Sequence, residues 1–275
     1  MASAKPLNYH REGSGSPLVL VHGIGATWQC WLPMIAGLAE RHDVIAPDLP
    51  GFGGSVDQGV AKPSLEHFAK SILDLLDDLG IDEFHLAGNS LGGAVATELL
   101  RSGRVLSFHG VSPAGQTYGP YLTATKLLLR GAYYGSRLIA PIAPQLLKVR
   151  ALRAAFLIQM LGKPWHVSAD YALELVRGCA VGRGFEATLA SAIPGDRGID
   201  VPSYDGPAQI LWGTRDWILP LSSAARWVEQ WPSVDFIPLP GLGHVPMHDD
   251  PRLINDLILT MTRRTDAARS ASAVA

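Results

Sequence analysis

Short apolar runs recur along the chain and predict buried β-strands. Each run is ended by Gly, Pro or Asn, and runs without alternating polar positions are typical of parallel strands that are covered on both faces. The predicted strands span residues 18–21, 44–46, 84–87, 105–111, 208–212 and 235–239.

Helical patterns lie between these runs, and the clearest covers residues 64–79. Apolar side chains recur there every three or four residues, Ser64 can cap the first turn, and Gly80 can end the last. Further helices are predicted over residues 31–40, 91–101, 222–230 and 251–262. This alternation predicts an α/β fold with a mostly parallel, doubly wound sheet, whose functional site lies at the carboxyl ends of the strands.

The alternation stops between residues 116 and 200, where helical stretches rich in Leu, Ala and Arg follow one another. We expect a helical cap there, inserted into a body of residues 1–115 and 201–263 and followed by a frayed, flexible tail at 264–275. The cap segment holds ten Lys or Arg and five Asp or Glu, a net charge of +5, so the remainder carries −7. These opposite charges either help the two parts dock or attract anionic substrates or lipid surfaces.

Composition narrows the class of protein. Of the 275 residues, 47% are apolar and 17% are charged, so the chain can bury a large core. The net charge of −2 gives no support to a nucleic-acid-binding surface. Cys30 and Cys179 stand outside any CxxC pair, which excludes a disulfide scaffold and a zinc ribbon. Without an export signal or an apolar run of ~20 residues, we expect a soluble, cytoplasmic protein with no transmembrane segment.

The strongest chemical signal is the pattern G-x-S-x-G at residues 88–92, which reads GNSLG. It follows a predicted strand and precedes a predicted helix, the setting in which a sharp turn lifts a serine hydroxyl clear of the backbone. Ser90 is therefore the candidate nucleophile.

A serine hydroxyl needs a hydrogen-bonded base that is oriented by a third group. His244 follows the last predicted strand in a glycine-rich loop and is the best candidate base, whereas the neighbouring His248 is interpreted as structural or surface-exposed. Asp216 follows the strand at 208–212 and is the candidate acid. The chain order Ser90, Asp216, His244 is the order found on α/β-hydrolase sheets.

Acyl transfer also needs backbone donors for the tetrahedral oxyanion. Leu91 offers one N–H at the start of a helix, and Ile24, between two glycines, offers the second, with Gly25 as the alternative. Neither glycine pattern of a nucleotide-binding loop is present. His22, beside this loop, is interpreted as a residue that organises it.

These motifs resemble the α/β-hydrolase superfamily, in the serine-nucleophile branch that carries a helical cap and includes esterases and lipases. The resemblance implies hydrolysis through an acyl-enzyme, without a metal or a cofactor, and a structural role for a motif containing Asp48, Gly51 and Gly53. Related epoxide hydrolases and haloalkane dehalogenases have an aspartate at the position of Ser90, which argues against both activities. The matching segments are residues 18–31, 44–55, 86–96, 210–220 and 239–251.

The leading hypothesis is a hydrolase of carboxylic esters of hydrophobic small molecules. The Asn89–Ser90 pair resembles the carbon–carbon bond hydrolases of ring-cleavage (meta-cleavage) products, in which the basic cap would hold a substrate carboxylate. The HGxGPG loop of that group is absent, however, and this chain reads HGIGATW. A non-catalytic ligand receptor on the same fold is the third interpretation.

Aromatic side chains are the candidates for binding the hydrophobic substrate, since they can line an apolar pocket. The residues proposed for this role are Trp28, Tyr118, Tyr121 and Trp217. The sequence allows either a monomer or a homodimer.

Overall fold

The computed structural model describes residues 6–56, 59–192 and 198–274. Its centre is a seven-stranded sheet of order β1-β3-β2-β4-β5-β6-β7, in which β1 runs antiparallel to β3 and the other neighbours are parallel. The strands are β1 Tyr9–Gly13, β2 Ser16–Val21, β3 His42–Pro47, β4 Phe84–Asn89, β5 Val105–Val111, β6 Ala208–Gly213 and β7 Asp235–Leu239.

The predicted α/β class and all six predicted strands are confirmed, and the sheet adds one edge strand that the sequence analysis missed. β1 reads YHREG and is largely exposed, so it has no apolar run to mark it. Edge strands pair on one side only and tolerate such polar side chains. The parallel strands end at one edge of the sheet, where Ser90 follows β4.

Helices cover both faces of the sheet. Those of one face pack with β-strand residues around Phe68 and Val95, and those of the other pack around Met34 and Ile258. The first face is covered by α2 Leu65–Asp78, α3 Leu91–Leu99 and α9 Leu221–Gln230, and the second by α1 Leu32–Ala39 and α11 Pro251–Val274. Ser64 caps α2 as expected, accepting a hydrogen bond from His67 N at 3.2 Å.

Among the described residues between β5 and β6 there are five α-helices and no strand. They are α4 Gly119–Ile139, α5 Ala143–Leu146, α6 Arg150–Leu157, α7 Ala169–Val181 and α8 Phe185–Ser191. The short α10, Pro246–Asp249, follows the loop that carries His244. Within the described ranges, no helix combines the length and hydropathy needed to cross a membrane.

The expected frayed tail is wrong for the described residues, because α11 continues to Val274. Polar side chains hold this end of α11 on the sheet, and a pattern of apolar residues does not reveal such contacts. Asp266 accepts a hydrogen bond from Ser16 Oγ at 2.8 Å and contacts His85 Nε2 at 3.0 Å. Thr262, one turn earlier, contacts His42 Nε2 at 2.9 Å.

A chain of hydrogen bonds runs from Asp266 into the sheet. His85 Nδ1 lies 2.7 Å from Ser107 Oγ, which lies 2.9 Å from His109 Nε2, and Gln209 Nε2 lies 2.7 Å from His109 Nδ1. The amide of Gln209 donates and the carboxylate of Asp266 accepts, so a single direction of donation satisfies every group with both histidines neutral. Burial lowers the pKa of both imidazoles, that of His109 to about 3.

Replacing Asp266 with alanine removes the acceptor at the end of this chain. We expect Asp266→Ala to lower the free energy of unfolding by about 1–2 kcal/mol, because His85 loses its partner. Arg269→Ala is the matched control on the same helix, since its ion pair with Glu83 is half-exposed and such pairs contribute ~0.5 kcal/mol or less. Urea unfolding of both variants measures the difference, and equal stabilities would contradict the anchoring role of Asp266.

The buried histidines also predict acid sensitivity. Burial lowers the pKa of five histidines below the ordinary value of about 6.5, namely those of His22, His42, His85, His109 and His248. The unfolded chain therefore binds protons first as the pH falls through about 6.5, and each such histidine reduces the free energy of unfolding by up to ~1.4 kcal/mol per pH unit. Urea unfolding at pH 7, 6 and 5 should show a steady loss, before ordinary carboxylates titrate. A stability that stays constant over this range would contradict the burial of neutral histidines.

Candidate active site

Ser90 occupies a strained turn between β4 and α3. Its φ of 56° and ψ of −119° lie in a region that residues with a Cβ rarely adopt. The backbone around it holds this conformation: Ser90 N donates to Val111 O at 3.1 Å, and Ser90 O accepts from Ala114 N at 2.9 Å. The turn therefore fixes the serine at the carboxyl end of β4.

The glycines of the motif are needed for close backbone approach. A Cβ on Gly92 would lie 2.1 Å from the Val21 carbonyl oxygen, and one on Gly88 would lie 2.3 Å from the Gly92 carbonyl oxygen. Both distances are far below contact, so any side chain there would push the turn away from β2 or from α3. The G-x-S-x-G pattern is thus a packing requirement of this turn.

His244 and Asp216 form a direct hydrogen bond. Asp216 Oδ2 lies 2.7 Å from His244 Nδ1, and only 1% and 4% of the two side chains are exposed. Because a carboxylate only accepts, Nδ1 carries the proton and Nε2 is left as the basic nitrogen. Asp216 Oδ1 accepts from the N–H groups of Ile218 and Leu219 at 2.9 and 2.8 Å, which fixes the carboxylate.

Two side chains that the sequence analysis gave no such role hold the His244 loop. Asn89 Nδ2 donates to the carbonyl oxygens of Val111 and His244, both at 3.0 Å, and so ties the loop to the residue before Ser90. Asp249 is buried, and its carboxylate accepts from the N–H groups of Gly162, Lys163 and Gly243 at 2.7–2.8 Å.

Asp249 therefore joins the turn after α6 to the loop that carries His244. The acidic pair Asp249–Asp250 beside His248 was the available signal, but nothing in the sequence indicates which carboxylate turns inward. His248 itself is buried, as a structural histidine, and burial lowers its pKa to about 4.

The two expected oxyanion donors flank Ser90. Gly23 lies so close that a Cβ on it would be 3.1 Å from Ser90 Cβ, and Ile24 follows it at the edge of the cavity described below. Leu91 is the first residue of α3. Within the described part of the chain, neither Ile24 N nor Leu91 N donates a hydrogen bond, so both remain free for a ligand oxygen.

His22 and Asp48 support the Ile24 loop from behind, as the sequence analysis expects. His22 Nε2 accepts from Leu49 N at 2.9 Å, which leaves Nδ1 as the donor to Gly23 O at 2.7 Å. Asp48 accepts from Trp28 N at 2.8 Å and from Asn8 Nδ2 at 2.7 Å. Burial lowers the pKa of His22, so its imidazole is neutral and serves as a bridge between two loops.

Ser90 and His244 both line a cavity beneath the cap helices. About 800 Å³ of space free of protein atoms lies within it and at its opening. Its wall is apolar apart from a few uncharged polar groups, and among the described residues no Lys, Arg, Asp or Glu lines it. The cap contributes Leu128, Leu129, Ala132, Ser136, Phe156, Leu157, Gln159, Met160, Leu175, Val176, Cys179 and Phe185.

A second, smaller cavity also reaches Ser90. It shares Ile24, Ser90, Leu129 and Ile218 with the first and is closed by residues of the segment after β5, of α4 and of the Asp216 loop. Ser90 thus lies between two apolar compartments.

The four aromatic residues proposed to bind substrate line neither cavity, so that prediction is corrected. Trp28 stacks on His10 with ring centroids 4.4 Å apart, and the ring of Tyr118 lies 4.4 Å from the guanidinium of Arg226. Tyr121 and Trp217 are 59% and 72% exposed. Aromatic rings stabilise many surfaces, and their presence in a sequence does not indicate which way they point.

A possible cation-binding group lies at the other end of β4. Ligand atoms of His42, His85 and Asp266 lie within 4.8 Å of one another. His85 and Asp266 already hydrogen-bond to each other, and His42 hydrogen-bonds to Ser16 and Thr262. This group lies away from Ser90 along β4, because His85 is near the start of the strand and Ser90 follows its end.

Known proteins share this arrangement of elements. The meta-cleavage product hydrolase from Pseudomonas fluorescens IP01 superposes with a TM-score of 0.71 at 23% identity, covering 94% of each chain. A thermophilic esterase from Thermogutta terrifontis gives 0.70 at 22% identity, covering 94% of this chain and 93% of its own. At these identities the likeness is one of fold.

Sequence comparison identifies the family. The dihydrolipoyllysine-residue acetyltransferase component of the acetoin cleaving system of Pseudomonas putida is 31% identical over 258 residues, 91% of this chain. The match covers 64% of that protein, so this chain spans less than two thirds of its length. The model of the alpha/beta hydrolase family matches residues 18–257. The resemblance seen in the motifs is thereby confirmed, and the chain belongs to the alpha/beta hydrolase family.

Proposed function

We propose that the chain is a serine hydrolase of uncharged, hydrophobic carboxylic esters. Ser90 is the nucleophile, His244 the general base and acid, and Asp216 the group that orients the imidazole. The N–H groups of Ile24 and Leu91 form the oxyanion hole. The observation that carries the substrate class is the apolar cavity wall around Ser90, on which no charged residue is found among those described.

The reaction proceeds through an acyl-enzyme. Ser90 Oγ attacks the ester carbonyl carbon while His244 Nε2 takes the hydroxyl proton, and the carbonyl oxygen becomes an anion between the two N–H groups. When the C–O bond breaks, His244 returns the proton to the leaving alkoxide, which departs as the alcohol. Water, deprotonated by His244, then attacks the acyl-enzyme and releases the carboxylic acid and Ser90.

The hydrogen bond between Asp216 and His244 supports these roles. It lies in a buried site, and Asp216 is itself held by two backbone donors, so the imidazole cannot turn its protonated nitrogen toward the serine. Two compartments that meet at Ser90 suit an ester, because one can take the acyl part and the other the alcohol part. A binding-only receptor would need neither the oriented base nor two unpaired N–H groups.

The cavity wall also favours ester hydrolysis over carbon–carbon cleavage of a ring-cleavage acid. Such a substrate carries a carboxylate, which needs a cationic or strongly donating partner when it is buried. The cap is basic overall, but its cations are not part of the described cavity wall. Asn89 suggested carbon–carbon cleavage in the sequence analysis. In the structure, its amide nitrogen donates both of its hydrogen bonds to backbone carbonyls.

Removing the nucleophile should abolish turnover without unfolding the chain. We expect Ser90→Ala to lower kcat for a nitrophenyl ester by about 10³-fold or more, and Asp216→Asn by about 10⁴-fold because the histidine tautomer is no longer fixed. Ser136→Ala is the matched control, since Ser136 lines the same cavity without a proposed catalytic role. Near-full activity of Ser90→Ala would overturn the assignment.

A matched pair of substrates tests the uncharged cavity. The nitrophenyl esters of hexanoic acid and of adipic acid have acyl chains of equal length, but the second ends in a carboxylate. We expect kcat/KM to be at least about tenfold lower for the adipate ester, because its charge would be buried without a partner. Equal or faster turnover of the adipate ester would contradict the proposal. Rapid loss of a ring-cleavage dienone acid with slow ester hydrolysis would instead establish carbon–carbon cleavage.

A further inference from the structure

The first two thirds of the cap carry charge of one sign. Residues 116–169 contain no Asp or Glu, and their only carboxylate partner in an ion pair of the described structure is Glu186, which pairs with Arg130. The cations are Lys126, Arg130, Arg137, Lys148, Arg150, Arg153 and Lys163. A basic surface of this density attracts anionic partners.

The outward face of α4 is apolar. Leu127, Tyr134 and Leu138 are 63%, 56% and 81% exposed. Their spacing of seven and four residues places them within about 40° of one another around the helix axis. Surface helices normally carry polar side chains on this face, so an apolar stripe here indicates a partner.

A row of cations borders the stripe. Lys126, Arg130 and Arg137 also lie within about 40° of one another, about 80° around the helix from the stripe and between it and the buried side. The opposite side of α4 is buried, with Leu122 and Tyr133 facing the body. Long basic side chains beside an apolar stripe can extend their charged ends to the level of a polar interface.

The apolar surface continues beyond α4. Residues 142–158, which include α6, have four further large apolar side chains that are about half-exposed. The same segment includes the exposed cations Lys148 and Arg150. The four are Ile142, Val149, Leu152 and Ile158.

The same helices roof the larger cavity. Leu128, Leu129 and Ala132 of α4 and Phe156 and Leu157 of α6 line it from above. On α4, the exposed apolar side chains therefore lie on the face that points away from the cavity. We use the term cap outer face for the surface formed by Leu127, Tyr134, Leu138, Ile142, Val149, Leu152 and Ile158.

We propose that the cap outer face docks on the surface of an anionic lipid bilayer. Its apolar side chains enter the boundary between headgroups and acyl chains, and its cations contact the lipid phosphates. A second copy of this chain fits less well, because a symmetric contact would bring two clusters of cations together, and Glu186 is the one carboxylate that pairs with them in the described structure. Docking is a binding property and does not depend on turnover.

Co-sedimentation with vesicles tests the proposal on the full chain. We compare vesicles of phosphatidylcholine alone with vesicles in which about one third of the lipid is phosphatidylglycerol. The stripe variant is Leu127→Gln/Leu138→Gln and the charge variant is Lys148→Gln/Arg150→Gln. The matched controls change exposed residues of α11 in the same way, as Leu253→Gln and as Arg263→Gln/Arg264→Gln.

We expect the wild type to bind the anionic vesicles, with affinity that falls as salt is raised, and to bind phosphatidylcholine weakly. Each cap variant should lower the partition coefficient by about tenfold or more, while the α11 controls bind like the wild type. Unchanged thermal unfolding and unchanged turnover of a short soluble ester would verify that the cap variants are folded.

Three results would overturn the proposal. The first is no binding of the wild type to anionic vesicles at low salt. The second is full binding by the stripe variant, which would reduce the interaction to nonspecific adsorption of cations. The third is a wild-type dimer that the stripe variant converts to a monomer in the absence of vesicle binding, which would assign the cap outer face to contact between copies.

Discussion

The backbone of Ser90 depends on three chain segments that approach one another almost without side chains between them. β2 passes over Gly92, and the turn after β2 places Gly23 against Ser90. The last residue of β5 accepts from the serine N–H, and Ala114, just after β5, donates to its carbonyl oxygen. A positive φ at a residue with a Cβ costs of order 1–3 kcal/mol, so it persists only where the surroundings determine it. The proposed nucleophile and both proposed oxyanion donors thus share one rigid support.

The remaining parts of the site lie on loops, and buried acceptors and donors give those loops their order. Asp48 holds the segment that includes Trp28, Asn89 holds the backbone of His244, and Asp249 holds Gly243. Each of these side chains satisfies backbone groups that a loop would otherwise leave unpaired. The site is therefore precise without being built on regular secondary structure.

The sequence predicted what local pattern determines. Apolar runs identified six strands, and Ser90, Asp216 and His244 stood out because chemistry, spacing and strand ends agreed. The edge strand β1 was missed because it is polar. The helical end of α11 was missed because Asp266 is held by His85, which is 181 residues away in sequence. The directions of Trp28 and Tyr118 depend on long-range partners, His10 and Arg226, which no periodicity records.

Asp249 links the cap directly to the loop that carries His244. Its single carboxylate is shared by two cap amides and one loop amide, and Val245 N adds a bond to Met160 O at 3.1 Å. The turn after α6 is thus tied to the loop of His244 by four hydrogen bonds. Exchange of cap segments between relatives is consequently constrained: a grafted cap needs two free amides at this turn, or the loop of His244 loses the bonds that set its position.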